Sequence, residues 1–128
     1  MRLLLDTHTF LWFFVGDDSL SQTARTLIED ESNEKFFSIA SLWEIAIKVS
    51  IGKLTLSAPF DDIFPDQFAN NGIDVLSITP AHISAVTTLP FHHRDPFDRL
   101  LIAQAATEQM ELVSTDSAFD DYPVKRLW

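Results

Sequence analysis

Short apolar runs alternate with longer segments of helical periodicity along the whole chain. The first run, three leucines at positions 3–5, ends in Asp6, which is typical of a buried parallel strand that stops at a functional edge. Similar runs predict five strands, at residues 2–6, 35–39, 73–78, 112–115 and 124–128. Between them, apolar residues at helical spacing predict helices at residues 7–15, 19–31, 41–51, 80–88 and 99–109.

The segment 59–71 also has a helical pattern, but it contains Pro65. Proline lacks the N–H that a helix interior needs and clashes with the preceding turn. We therefore expect a kinked helix, or two short helices, in this segment.

Strands that alternate with helices predict an α/β fold, here a three-layer α/β/α sandwich with a five-stranded, mostly parallel sheet. The 128 residues contain no repeat or linker, so we expect one domain over residues 1–128. In such a sheet the carboxyl ends of the strands and the amino ends of the following helices share one edge, where ligands bind.

Four acidic residues are predicted at this edge. Asp6 ends the first strand and Asp116 follows the fourth, while Glu44 and Asp98 are expected in the first turns of two helices. Carboxylates this close raise one another's pKa unless a cation neutralises them. The chain has no cysteine, and carboxylates completed by water suit Mg²⁺ or Mn²⁺ better than zinc. The pattern predicts a metal site that could support phosphodiester hydrolysis.

Three of these acids also have a purely structural explanation. Ser41-Leu-Trp-Glu44 is a capping-box pattern, and Asp95-Pro-Phe-Asp98 fits an N-cap, a proline at the first helical position and an acid favoured by the helix dipole. Asp116 could cap the turn that follows it. Asp6 has no such structural need, and the coincidence of four acids on one edge favours a functional site.

The formal net charge is −10, which argues against a protein that binds nucleic acid mainly through Lys and Arg and predicts a basic partner. Hydrophobic residues make up 46% of the chain and charged residues 22%, as in globular proteins. The apolar stretch 10–15 is far shorter than the roughly 20 residues of a membrane span. We expect a cytoplasmic protein without a membrane segment.

Four sequence blocks, in order, carry a family resemblance. They are Leu3-Leu-Leu-Asp6-Thr-His-Thr-Phe-Leu-Trp12, Ser41-Leu-Trp-Glu44-Ile-Ala-Ile-Lys48, Arg94-Asp-Pro-Phe-Asp98-Arg-Leu-Leu-Ile-Ala103 and Leu112-Val-Ser-Thr-Asp116-Ser-Ala-Phe119. Together they resemble the PilT N-terminal (PIN) domain, and are most similar to the VapC-like ribonuclease toxins of type II toxin–antitoxin pairs.

The resemblance implies a five-stranded parallel sheet, dependence on Mg²⁺ or Mn²⁺, RNA as substrate, a homodimer, and a small antitoxin that blocks the site. By matching position it implies metal-site roles for Asp6, Glu44 and Asp98, with Asp116 as the fourth acid. Two further acids and a hydroxyl are weaker candidates: Asp95, Asp120 and Ser114. Ser114 stands where many relatives have threonine, and either hydroxyl can orient an acid or a water.

Three basic residues are candidates for contacting RNA phosphates: Lys48, Arg94 and Arg99. Lys48 could equally form an ordinary ion pair with Glu44 one helical turn away. His92, His93 and Arg94 could contact phosphate at the rim of the site or form a solvated loop.

The sequence and the resemblance thus predict a metal-dependent endoribonuclease that is the toxin of a toxin–antitoxin pair. The alternative is a PIN-like scaffold that binds RNA or protein without cutting. Trp43, in an apolar helix, is expected in the core rather than in a base-stacking surface.

Overall fold

The computed structural model describes residues 1–128 and contains five strands, six α-helices and one short 3₁₀ helix. The strands are β1 Arg2–Leu5, β2 Glu34–Ser38, β3 Ile73–Leu76, β4 Glu111–Val113 and β5 Arg126–Leu127. The helices are α1 Thr7–Val15, α2 Gln22–Glu29, α3 Ile39–Ser50, α4 Phe60–Asn70, α5 Pro80–Val86 and α6 Pro96–Glu108. The 3₁₀ helix spans Ser117–Asp121.

The five strands form one sheet in the order β3-β2-β1-β4-β5, and every pairing is parallel. The central strand, β1, carries three leucines that are fully buried, as the apolar run predicted. The predicted α/β fold with a five-stranded parallel sheet is confirmed.

The leucines of β1 alternate between two packed layers because successive side chains of a strand point to opposite faces. Leu3 and Leu5 belong to a core of thirteen buried residues that includes a group of phenylalanine rings. Leu4 belongs to a second core of eight residues, to which α6 contributes Leu101 and Ile102. Helices therefore cover both faces of the sheet.

The turn from β1 into α1 sets the position of Asp6. Asp6 has extended backbone angles, φ −65° and ψ 154°, and its side chain accepts a hydrogen bond from the N–H of Thr7 at the start of α1. The helix ends at Gly16, whose φ of 69° suits glycine. The predicted helix 7–15 is confirmed.

Helix α3 begins two residues earlier than the sequence pattern suggested. Its N-cap is Ser38, whose hydroxyl accepts a hydrogen bond from the N–H of Ala40 at 3.1 Å. The capping-box explanation of Glu44 is therefore wrong, and so is its assignment to the first turn. Glu44 lies in the second turn, so capping does not account for it.

Helix α4 is one continuous helix with Pro65 inside it, so the alternative of two short helices is wrong. Pro65 lies on the exposed side, where water can bond to the carbonyl that loses its helical partner. On the opposite side Ile63, Phe64 and Phe68 are buried in the larger core. This burial of apolar surface offsets the missing hydrogen bond.

The longest helix, α6, has 13 residues, and none of the helices combines the length and the apolar character needed to cross a membrane.

Candidate metal centre

Asp6 lies at the middle of the sheet's carboxyl edge, where β1 meets α1. Its Oδ1 accepts a hydrogen bond from the N–H of Thr7 at 2.7 Å, and its Oδ2 accepts one from the Ser114 hydroxyl at 2.8 Å. Burial raises the pKa of Asp6 in spite of both hydrogen bonds. A cation bound beside the carboxylate would favour its charged form.

Glu44 reaches the same place from the second turn of α3. Its Oε1 accepts a hydrogen bond from the Thr7 hydroxyl at 2.7 Å, and its Oε2 lies 3.3 Å from the Lys48 ammonium. The ion pair predicted as one explanation of Lys48 is present. The two contacts together fix the direction of the Glu44 carboxylate.

The start of α6 brings two more acids to this edge. Asp95 is the N-cap, and its Oδ1 accepts hydrogen bonds from the N–H groups of Phe97 at 2.9 Å and Asp98 at 3.1 Å. The predicted cap, with Pro96 at the first helical position, is confirmed. Asp98, in the first turn, takes no part in the capping through its side chain, so its carboxylate is available to the site.

The environment of Asp98 disfavours its charged form. Partial burial first, and then the negative charges of Asp95, Asp6, Glu44 and Asp116, raise its pKa to about 7. A carboxylate with this pKa marks a place where negative charge is in excess.

Asp116 follows β4 and begins the 3₁₀ helix. Its Oδ1 accepts a hydrogen bond from the N–H of Ala118 at 3.0 Å, which is the predicted turn-capping contact. Its own N–H donates to the Ser114 hydroxyl at 3.0 Å, and that hydroxyl donates to Asp6. Ser114 thus links two of the acids.

The acids line one cavity of about 460 Å³ that has no hydrophobic residue in its wall. The wall is formed by Asp6, His8, Glu44, Lys48, Asp95, Asp98, Thr115 and Asp116. Five carboxylates therefore face a single lysine. This set of oxygen donors fits a hard divalent cation such as Mg²⁺ or Mn²⁺.

The remaining sequence candidates occupy different positions. Arg94 is exposed and makes no hydrogen bond or ion pair. Arg99 is buried and donates to the carbonyls of Val86, Leu89 and Pro90 at 2.9–3.3 Å, so its guanidinium is not open to RNA. Asp120 is exposed and forms a two-point ion pair with Arg126, outside the cavity. The structure does not bring Arg99 or Asp120 to the site.

Two residues at the site carried little signal in the sequence. Thr7 orients Glu44, which only the packing of α1 against α3 reveals. His93, one of three residues expected at the rim, lies with its Nε2 3.2 Å from Asp98 Oδ2. A third difference concerns Trp43, which is 63% exposed and meets the ring of Phe97 edge-on. The expectation that Trp43 is in the core is wrong.

Comparison with known proteins identifies similar sequences. Residues 3–125 match the family model of the PIN domain. Ribonuclease VapC16 of Mycobacterium tuberculosis is 37% identical over 65 residues, which make up 51% of this chain and 45% of that protein. The match thus spans less than half the length of that relative.

The fold is similar to those of solved structures at low sequence identity. VapBC2 from Rickettsia felis, bound to a DNA fragment from their promoter, gives a TM-score of 0.75 at 13% identity over 99% of this chain and 98% of the other. A toxin–antitoxin complex from Klebsiella pneumoniae gives 0.64 at 14% identity over 98% and 96%. Since the family model spans nearly the whole chain, this protein belongs to the PIN domain family.

Proposed function

We propose that this protein is a divalent-metal-dependent endoribonuclease and the toxin of a toxin–antitoxin pair. The observation that carries the proposal is the convergence of Asp6, Glu44, Asp98 and Asp116 on one cavity without apolar lining. The similarity to a protein named as a ribonuclease supports RNA as the substrate class.

In this proposal the four carboxylates hold the ion. A bound Mg²⁺ or Mn²⁺ supplies Lewis acidity toward a phosphoryl oxygen and lowers the pKa of water, which together promote hydrolysis of a phosphodiester. The chain supplies the positioning: Thr7 and Ser114 fix Glu44 and Asp6 through hydrogen bonds of 2.7 and 2.8 Å. Fixed ligands spare the reorganisation that flexible ones would require.

Lys48 and Arg94 are the proposed contacts for RNA phosphates. Lys48 lines the acidic cavity, and Arg94 is exposed between two residues that contact the site, His93 and Asp95. Arg99 is not part of this proposal because its guanidinium is buried among carbonyl groups.

Cleavage of RNA by the purified protein tests the enzyme proposal. We expect cleavage with Mg²⁺ or Mn²⁺, none with a chelator, and a loss of about a thousandfold in Asp98→Asn, since a single preorganised electrostatic group contributes on the order of 10² to 10³ in rate. The matched control is Asp66→Asn, the same change at an exposed position on α4, which should cleave at the wild-type rate.

Two outcomes would contradict this proposal. Cleavage that persists in a chelator would exclude the metal mechanism. Binding of RNA without cleavage, under all metal conditions, would favour the scaffold alternative.

The antitoxin proposal is supported by a second cavity beside the acidic one. This cavity, of about 550 Å³, has a mainly apolar wall that includes Trp12, Val15 and Leu56, and it shares His8 and Lys48 with the acidic cavity. An apolar segment bound there could therefore extend a basic side chain toward the acids. The net charge of −10 also favours a basic partner.

Co-expression with the product of a neighbouring short reading frame tests the partner. We expect the small protein to co-purify and to relieve growth arrest. Val15→Lys, at a side chain that is 65% exposed, should weaken this binding and leave RNA cleavage intact, whereas Ile83→Lys on α5 should change neither. If expression harms no cell and no small protein binds, the toxin role fails while the nuclease role stands.

We also propose a homodimer in the cytoplasm, organised as one domain over residues 1–128. Exposed apolar side chains on α3, Ile39 and Trp43, offer a surface for a second copy. Light scattering of the protein as it elutes from a size-exclusion column should give twice the chain mass of 14.5 kDa. A monomer mass at all protein concentrations would contradict the dimer.

A further inference from the structure

The imidazole of His93 lies between two acids of the site. Its Nε2 is 3.2 Å from Asp98 Oδ2 and 3.8 Å from Asp116 Oδ2, and the His93 side chain is 19% exposed. The three ligand atoms all lie within 4.8 Å of one another. His93 therefore lies beside acids of the cavity, although the oxygen-only set of ligands described above does not include it.

The position of His93 is held by contacts on both sides of its backbone. Its N–H donates to the Tyr122 hydroxyl at 2.8 Å, and that hydroxyl donates to the carbonyl of Pro90 at 2.8 Å. Its carbonyl accepts from the buried Arg99 guanidinium at 3.4 Å. The ring lies 6.0 Å from that of Phe119, centroid to centroid. These contacts hold His93 in place, while its neighbours Phe91, His92 and Arg94 are exposed to solvent.

The Nε2 atom itself is buried and has no hydrogen-bond partner of good geometry, despite its distance to Asp98. A buried polar atom in a native protein usually has a partner, so its lack calls for an explanation. Ligand atoms at right angles around an ion, with bonds of about 2.1 Å, lie about 3 Å apart. The 3.2 Å separation of Nε2 from Asp98 Oδ2 fits two adjacent ligands of one ion, and the poor hydrogen-bond geometry favours this arrangement over a direct hydrogen bond.

We propose that His93 Nε2, Asp98 and Asp116 form a mixed nitrogen and oxygen metal position, which makes the site prefer Mn²⁺ to Mg²⁺. The position uses Asp98 and Asp116 from the proposed set of four carboxylates and lies beside the other two, Asp6 and Glu44, so this inference rests on and deepens the metal site of the proposed function. The preference follows from ligand type: Mg²⁺ takes oxygen ligands and dehydrates reluctantly, whereas Mn²⁺, as a transition-metal ion, accepts an imidazole nitrogen more readily than Mg²⁺ does.

Pulsed electron paramagnetic resonance of Mn²⁺ added to the purified protein tests the proposal directly. Coordination by imidazole gives a hyperfine coupling to ¹⁴N that oxygen ligands cannot give. We expect this coupling in the wild type and in His8→Gln and His92→Gln, and none in His93→Gln. His8 is the critical control because it also lines the acidic cavity.

Metal titrations supply the second readout. His93→Gln should lower Mn²⁺ affinity by about tenfold or more, the lower end of what even outer-shell partners contribute, while Mg²⁺ affinity changes by less than about threefold. His93→Asp, which replaces a nitrogen ligand by oxygen, should still bind Mn²⁺ but show no ¹⁴N coupling. Its ratio of Mn²⁺ affinity to Mg²⁺ affinity should be smaller than that of the wild type. This second variant keeps the test decisive if His93→Gln does not fold.

Three results would overturn the inference: no ¹⁴N coupling in the wild type, a coupling that survives in His93→Gln and His93→Asp, or a coupling that disappears in His8→Gln. The outcome is separable from that of the proposed function. RNA cleavage by a wild type without the coupling leaves the ribonuclease standing and removes the His93 ligand. A coupling in a protein that cuts no RNA supports the His93 ligand and removes the ribonuclease proposal.

Discussion

The two edges of the sheet bury charge in opposite ways. At the amino edge, the ammonium of Lys35 on β2 is buried but donates to the carbonyls of Ile28 at 2.9 Å and Asp30 at 3.5 Å. At the carboxyl edge, burial first and the charges of neighbouring carboxylates second raise the pKa of both Asp6 and Asp98. The Lys35 charge is compensated by its carbonyl acceptors, whereas buried like charges destabilise the fold until a cation neutralises them. The contrast teaches that the carboxyl edge is selected for binding.

The largest predicted effect on the free energy of unfolding is at Arg99. This residue supports the carboxyl edge but is not one of the acids that line the cavity there. Arg99→Ala removes a buried guanidinium from the carbonyls of Val86, Leu89 and Pro90 and leaves them unpaired. We expect a loss of about 3 kcal/mol in the free energy of unfolding, measured in urea. Wild-type stability in this variant would mean that water replaces the guanidinium, and would weaken the account of how His93 is held.

The second-largest effect on the free energy of unfolding should be at Lys35, the buried charge of the amino edge that has its own hydrogen-bond acceptors. Lys35→Met keeps the apolar stem but removes the donor to Ile28 and Asp30, so we expect a loss of about 2 kcal/mol in the free energy of unfolding. RNA cleavage per folded molecule should not change. A selective loss of cleavage in this variant would break the division between a structural and a functional edge.

Asp98→Asn should change the free energy of unfolding in the opposite direction and stabilise the protein. A pKa raised to about 7 means that the folded protein binds the proton of Asp98 more tightly than the unfolded chain does. The associated stability is present at acid pH and is lost as pH rises toward 7. Without metal, Asp98→Asn should therefore be more stable than the wild type at pH 8, by about 1–2 kcal/mol after allowance for partial exposure to water, and the gain should shrink toward pH 5.

Urea unfolding in a chelator at pH 5 and pH 8 measures this gain, with Asp66→Asn as the variant that should show none. Added Mg²⁺ or Mn²⁺ should stabilise the wild type more than Asp98→Asn, because the metal binds the folded state and the variant lacks one of the carboxylates that would hold it. If Asp98→Asn is less stable than the wild type at both pH values, the crowding of charge at this edge has been overestimated.

The smallest effect on stability should be at Lys48. Its ion pair with Glu44 is partly exposed, so Lys48→Ala should change the free energy of unfolding by less than about 1 kcal/mol. If Lys48 contacts RNA, the slope of log affinity against log salt concentration should fall by about 0.7, the contribution of one contact to a single strand. An unchanged slope would assign Lys48 to orienting Glu44 alone.

The order of strands and helices could be predicted from the sequence because each buried element leaves an apolar run or a helical period. Boundaries were less predictable where two local signals competed: Ser38 and Ser41 are both good N-caps, and the structure begins the helix after Ser38, with Ala40 and Ser41 buried in the first turn. Pro65 opposed a helix locally, and burial of Phe64 and Phe68 overrode it.

The acids of the candidate site could be predicted because strand ends of a parallel sheet meet at one edge. The supporting contacts could not, because they join residues far apart in the chain. The hydrogen bonds of Thr7 with Glu44 and of Arg99 with Pro90 depend on side-chain directions that no spacing rule gives. For the same reason Arg99 and Asp120 looked available in the sequence and are engaged in the structure.

The hydroxyl of Ser114 has a consequence for synthesis of the chain. It joins Asp6 to the N–H of Asp116, and the hydrogen bond with Asp6 spans 108 residues. The neighbouring N–H of Ser114 is itself bonded to the carbonyl of Leu127 on β5. The acidic pocket therefore closes only after nearly all of these residues have left the ribosome. Asp6 and Glu44 are thus synthesised well before Asp98 and Asp116, and the pocket that the four acids share is assembled only late in translation.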